Sequence, residues 1–142
     1  MPARSRLAST SSRRSTSRRR PRRPSRKPAV ALHHAYGAIE SALARVARTI
    51  DGGLPEGADW HQALLESMTL DIESVRPAVL CADSVARLRP LLAFRHFFRH
   101  AYAATWDAGR LAALRDDALA ARAPLRADLQ RLDEVLRVAA NP

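Results

Sequence analysis

From residue 29 onward, apolar side chains return at helical intervals. Val30, Leu32, Tyr36, Ile39, Leu43, Val46 and Ile50 follow that spacing with Glu40, Arg45 and Arg48 between them, which predicts an amphipathic helix from Ala29 to Ile50. Asp51-Gly52-Gly53 ends it, and Leu54-Pro55-Glu56-Gly57 reads as a turn. Asp59 is placed to cap a shorter second helix of about three turns that carries Trp60, Leu64, Leu65 and Met68. An irregular connection from Asp71 to Pro77 follows, with Pro77 favouring a helix start and Asp83 available as a later cap. The third helix bears Val85, Leu88, Leu91, Leu92, Phe94, Phe97 and Phe98, and Pro90 is expected to kink or divide it. After a break near Asp107, the spacing of Leu111, Leu114, Leu119, Leu125, Leu129, Leu132, Leu136 and Val138 predicts one long helix bent at Pro124. Four such helices bury their stripes most simply as an antiparallel bundle, so the expected fold is all-α.

Composition supports this and narrows it. The chain of 142 residues is 46% hydrophobic but only 5% aromatic, so its core is built from Ala, Leu and Val, which favours helices over a sandwich or barrel. No apolar run reaches the roughly 20 residues that span a bilayer, and no secretory leader is visible, so no membrane is expected and the cytoplasm is the expected compartment. A single cysteine, Cys81, excludes an internal disulfide and reads as a small apolar side chain.

The net charge of +10 is unevenly spread. Residues 1–28 hold eleven of the 24 Lys and Arg and none of the 14 Asp and Glu, which leaves the remaining 114 residues at −1. With Leu7 its only large aliphatic side chain, residues 1–28 are expected to be a disordered Arg/Ser/Pro-rich tail, and residues 29–142 the helical domain. A genuine arm for RNA phosphates, a start codon set too far upstream and a transit peptide all fit that composition.

The chemistry concentrates in Phe94-Arg95-His96-Phe97-Phe98-Arg99-His100-Ala101-Tyr102. On a helix, Phe94, Phe97, Phe98 and Ala101 share one arc while Arg95, His96, Arg99 and His100 occupy the other, with Tyr102 two turns beyond Arg95. A neutral imidazole can take the proton from a ribose 2′-hydroxyl while a guanidinium steadies the phosphorane, giving a 2′,3′-cyclic phosphate without a metal. An arc of Arg and His is equally what a solvated face or a set of ion-pair partners looks like.

Arg95-x4-His100-x-Tyr102 resembles the Arg-x(4–6)-His motif, with its trailing Tyr, of the HEPN superfamily, and most of all its HepT branch. Leu54-Pro55-Glu56-Gly57, Trp60-His61, Leu64-Leu65, Met68, Arg76-Pro77 and Phe94-Arg95-His96 extend the resemblance over about residues 32 to 136. The resemblance implies a helical ribonuclease toxin that works as a homodimer and is paired with an MNT-type nucleotidyltransferase antitoxin. It makes Arg95 and His100 catalytic and Tyr102 the site at which the antitoxin transfers AMP, a bulky anion that blocks phosphate access. Arg99 and His96 become RNA-phosphate-binding or positioning residues. Arg95 and His100 diverge by about 140° around one straight helix, and a twofold axis would bring two copies of the arc together.

The other candidates read as structure. His33-His34 lack the i, i+4 spacing of a metal pair and are expected at the surface, and His96/His100 have it without a nearby acid, so no metal or other cofactor is expected. Trp60-His61 fits a core anchor better than a base-stacking platform, and Asp116-Asp117 and Asp133-Glu134 read as exposed ion-pair partners of helix arginines. Three classes of function follow: a metal-independent endoribonuclease toxin, a non-catalytic module that binds a nucleotidyltransferase or RNA, and a structural helical dimer whose arginines only pair with acids.

Overall fold

The structure, a computed structural model, describes residues 26–100 and 107–141. Five helices occur among them: α1 (Arg26–Val46), α2 (Trp60–Ser67), α3 (Ala82–His100), α4 (Ala108–Ala120) and α5 (Arg122–Ala140). They form an all-α bundle in which α1 packs on α2, α3 and α4, and α3 also meets α2 and α5. Residues 1–25 of the expected tail lie outside the described residues. Arg26, Lys27 and Pro28 form the first turn of α1, where a proline costs nothing because the first amides of a helix have no intrahelical acceptor.

α1 closes through a wider π-helical turn, Ala47–Asp51, that stops at Gly52 in the left-handed conformation (φ 86°). Asp59 stands at the N-terminus of α2 as expected, but its side chain makes no capping bond; its carbonyl takes Gln62 N at 2.9 Å instead. α3 begins at Ala82, not at Pro77, and Asp83 sits within its first turn. Pro90 does not divide α3, because Val85 and Leu88 before it and Leu91 and Phe94 after it are buried on one stripe, and that packing outweighs one lost hydrogen bond. Asp107 caps α4 by accepting Arg110 N at 2.7 Å.

The expected long final helix is jointed. The break falls at Ala121, three residues before Pro124, since Pro124 has no N–H to return to the Ala120 carbonyl and lies in the first turn of α5. α5 gives the apolar core Leu132, with Leu125 packed half-buried against it, and Leu119, Leu129, Leu136 and Val138 of the predicted stripe are exposed.

Two buried charges fix how these elements meet. Arg76, 5% exposed, donates to both carboxylate oxygens of Asp51 at 2.6 and 2.7 Å and to the carbonyls of Ser67 and Leu70, so it ties the ends of α1 and α2 together. Asp128 of α5, 1% exposed, accepts Cys81 N at 3.0 Å, the Ser84 hydroxyl at 2.5 Å and Arg131 Nη2 at 2.8 Å, and thereby caps α3 from another helix. Burial raises the proton affinity of this carboxyl, but the bonds from Ser84, Cys81 and Arg131 outweigh it and hold Asp128 below its ordinary value. A depressed carboxyl contributes stability that is complete above its unfolded value near 3.8 and is lost as pH falls through the folded value. Asp128→Asn is therefore expected to cost about 1–3 kcal/mol at neutral pH, and urea unfolding should show its gap to the wild type narrowing below about pH 4.

Candidate active site

Glu40 lies four residues after Tyr36 and three before Leu43, so it shares the stripe of α1 that faces the core, and it is 6% exposed. A carboxylate there must be compensated. Two neighbours do so: Arg95 of α3 places Nη2 at 3.0 Å from Oε1, and His61 of α2 places Nδ1 at 2.7 Å from Oε2. Arg95 Nη1 closes the triangle at 3.4 Å from His61 Nε2, a longer and weaker contact than the other two. Arg95 Nε is buried and makes no hydrogen bond. The Tyr36 phenol sits in the same field, pushed well above its usual value by burial and then by Glu40, with Arg95 opposing.

Arginine is always a donor, so the ring nitrogen facing Arg95 must be the acceptor, and the one facing the carboxylate must carry the proton. His61 is thus assigned, from its partners, as the neutral tautomer with hydrogen on Nδ1 and a lone pair on Nε2. The same logic applies to His100: Nδ1 lies 2.8 Å from the His96 carbonyl and must donate, leaving Nε2 toward solvent.

His61 and Arg95 open onto a cleft of about 410 Å³ between α2 and α3, lined also by Gln62, Glu66, Arg89 and His96. The site residues expected from sequence are distributed around it. Arg95 is at its wall, turned inward rather than outward with the polar arc. His96 is exposed on its rim, and the exposed ring of His100 stacks 4.8 Å from that of His96, one turn farther along α3 and outside the lining. Arg99 is exposed and acts electrostatically on His33. Tyr102 and Ala101 lie outside the described residues. Phe94 and Phe98 anchor α3 as expected, but Phe97 is 43% exposed, with the Arg110 guanidinium 5.7 Å above its ring.

His33 is not at the surface: it is half-buried, stacks on Phe98 at 4.6 Å, and its Nδ1 is buried with no partner. Burial first, then Arg95, His34 and Arg99, lower its proton affinity against the pull of Glu40, which keeps it neutral. Trp60 packs against the core as expected. Glu40 and His61 were missed as site residues; the position of Glu40 on the Tyr36–Leu43 stripe was a usable signal, whereas nothing near His61 in sequence announces its partner 21 residues away. Among the described residues no group of three or more His, Cys, Asp and Glu is placed to hold a metal ion, and no helix is long and apolar enough to cross a membrane.

A family model described as HepT-like protein matches residues 28–136, which take in α1 through most of α5 and every residue of the cleft. The chain belongs to the HepT-like family. It is therefore a helical domain of the HEPN superfamily, associated with toxin–antitoxin systems. No curated protein and no solved structure matches it. In this HepT-like domain, the arginine that opens the motif is held by an acid of α1 and an imidazole of α2, so its position is fixed by three helices.

Removing the carboxylate leaves a guanidinium stranded in a site where it is only 15% exposed. Glu40→Ala is expected to destabilise the fold by about 3 kcal/mol, and adding Arg95→Met should recover part of the loss, as a double-mutant cycle in urea would measure.

Proposed function

We propose that this HepT-like chain is the toxin of a toxin–antitoxin pair: a metal-independent endoribonuclease, active as a homodimer in the cytoplasm, neutralised by an MNT-type nucleotidyltransferase. The observation that carries the reading is the α2–α3 cleft, which sets a guanidinium beside imidazoles in a space of about 410 Å³. Arg95 keeps Nη2 on Glu40 while Nη1, held only at 3.4 Å, is available to a phosphate oxygen. Arginine suits that role because its fork stays charged and matches two oxygens.

His100 supplies proton transfer. Its Nδ1 hydrogen is taken by the His96 carbonyl, which orients the ring and leaves Nε2 to exchange a proton with a ribose oxygen. The 2′-oxygen attacks phosphorus, the bond from phosphorus to the 5′-oxygen breaks, and the products are a 2′,3′-cyclic phosphate and a 5′-hydroxyl. His96 and Arg99, both exposed on the same helix, position the neighbouring phosphates. Pairing of two copies answers the divergence of Arg95 and His100 along α3, since a twofold axis sets each residue near the mate's motif. Tyr102 is the position at which AMP transfer by the antitoxin would add an anion to the motif.

One observation favours a second reading. The Glu40–Arg95 bridge is what a non-catalytic or purely structural domain would also contain. Labelled RNA incubated with the purified chain in EDTA separates them: the toxin reading expects cyclic-phosphate ends, and Arg95→Lys, which keeps a cation beside the buried Glu40 but loses the fork, and His100→Ala should each slow cutting by about 100-fold while helicity and self-association persist. Binding of RNA or a nucleotidyltransferase without any cutting would establish the interaction module instead.

A further inference from the structure

A reaction that moves one proton off the 2′-oxygen and another onto the 5′-oxygen is served best by two groups, a base and an acid. The motif of α3 contains one imidazole assigned to proton transfer. The cleft contains another, on a different helix, whose state the structure fixes more tightly. His61 receives a donor from Arg95 at Nε2 and gives its Nδ1 proton to Glu40 at 2.7 Å. It is the imidazole in the cleft whose lone pair is committed by its partners.

We propose that His61 is the general base of this site and that Glu40 is its positioning residue. The inference rests on the ribonuclease reading above and deepens it, moving the base from α3 to α2. The contacts differ in a way that permits the exchange the reaction needs. Arg95 and His61 are each anchored to Glu40 by a short contact, 3.0 and 2.7 Å, while the contact between them is 3.4 Å. A phosphodiester oxygen bound in the cleft draws Nη1 away from His61 without dislodging Nη2 from the carboxylate. Nε2 is then free at the moment the phosphate is bound, on a side chain that lines the cleft the substrate enters.

The step balances. The 2′-hydroxyl proton passes to His61 Nε2, and Glu40 stabilises the imidazolium so formed, as a carboxylate behind an imidazole does in acyl-transfer triads. The 2′-oxygen closes on phosphorus, Arg95 steadies the phosphorane, and the 5′-oxygen departs with the Nε2 proton of a protonated His100. Water then removes a proton from His61 and returns one to His100.

The test uses the full chain. A long-range proton–nitrogen spectrum of the wild type labelled at histidine should show His61 protonated on Nδ1 and bare on Nε2; the opposite tautomer overturns the proposal whatever the kinetics. With a mixed-sequence single-stranded RNA, His61→Ala and His61→Gln should each cut about 100-fold more slowly than the wild type. Added imidazole should restore much of the rate to His61→Ala, a response that a merely structural histidine would not give. Gln keeps a donor toward Glu40, so it covers the case in which Ala fails to fold. If the wild type cuts, Arg95→Lys does not, and His61→Gln keeps about the wild-type rate, the base lies elsewhere and only this inference falls. If the wild type does not cut RNA at all, the ribonuclease reading falls and takes this step with it.

Discussion

A carboxylate at the centre of a helical bundle is the constraint around which this protein is arranged. Glu40 is 6% exposed, and an uncompensated charge there would cost several kcal/mol. The cost is met by one side chain from α2 and one from α3, so the helices that form the cleft are locked at the level of Glu40. Both side chains line the cleft, and Nη1 of Arg95 and Nε2 of His61 lie 3.4 Å apart because the same acid holds both. The acid that locks the three helices together is thus the one that positions the site.

Two further buried ionic groups do comparable work elsewhere. Arg76 binds Asp51 across 25 residues of sequence, and Asp128 accepts from Cys81 and Ser84 across 47 and 44. The core between them is made largely of Ala, Leu and Val, whose contacts are non-directional and would tolerate one helix sliding on another. A bidentate arginine or a carboxylate with three donors is satisfied in one register only, and any slip leaves a charge buried and unpaired. Uniform apolar stripes supply the driving force, and the three charged sites choose the alignment.

The periphery is less committed. α5 contributes Leu132 and Asp128 to the interior, while Leu129, Val135, Leu136 and Val138 remain exposed. Only part of the α5 stripe faces the bundle, where Leu132 is buried and Leu125 packs half-buried against the core. A stripe that is regular in sequence is therefore divided in space between core and solvent.

Sequence by itself determined the helical class, the positions of α1, α2 and α3 within a few residues, the start of α2 at Asp59, the break near Asp107, and the motif from Arg95 to Tyr102, since these depend on periodicity and on side chains acting within a turn or two. It also carried the family, which the match over residues 28–136 shows. Tertiary structure alone decided which acid meets which base. Glu40 was readable as lying on the core stripe, but its partners stand 21 and 55 positions away, and their approach depends on the angles at which three helices pack. For the same reason Arg95 turned inward from an arc that looked solvated, His33 went under Phe98, and Pro90 stayed inside an unbroken helix. Local spacing fixes what a residue can face on its own helix; what comes to face it is settled by the burial of surfaces far apart along the chain.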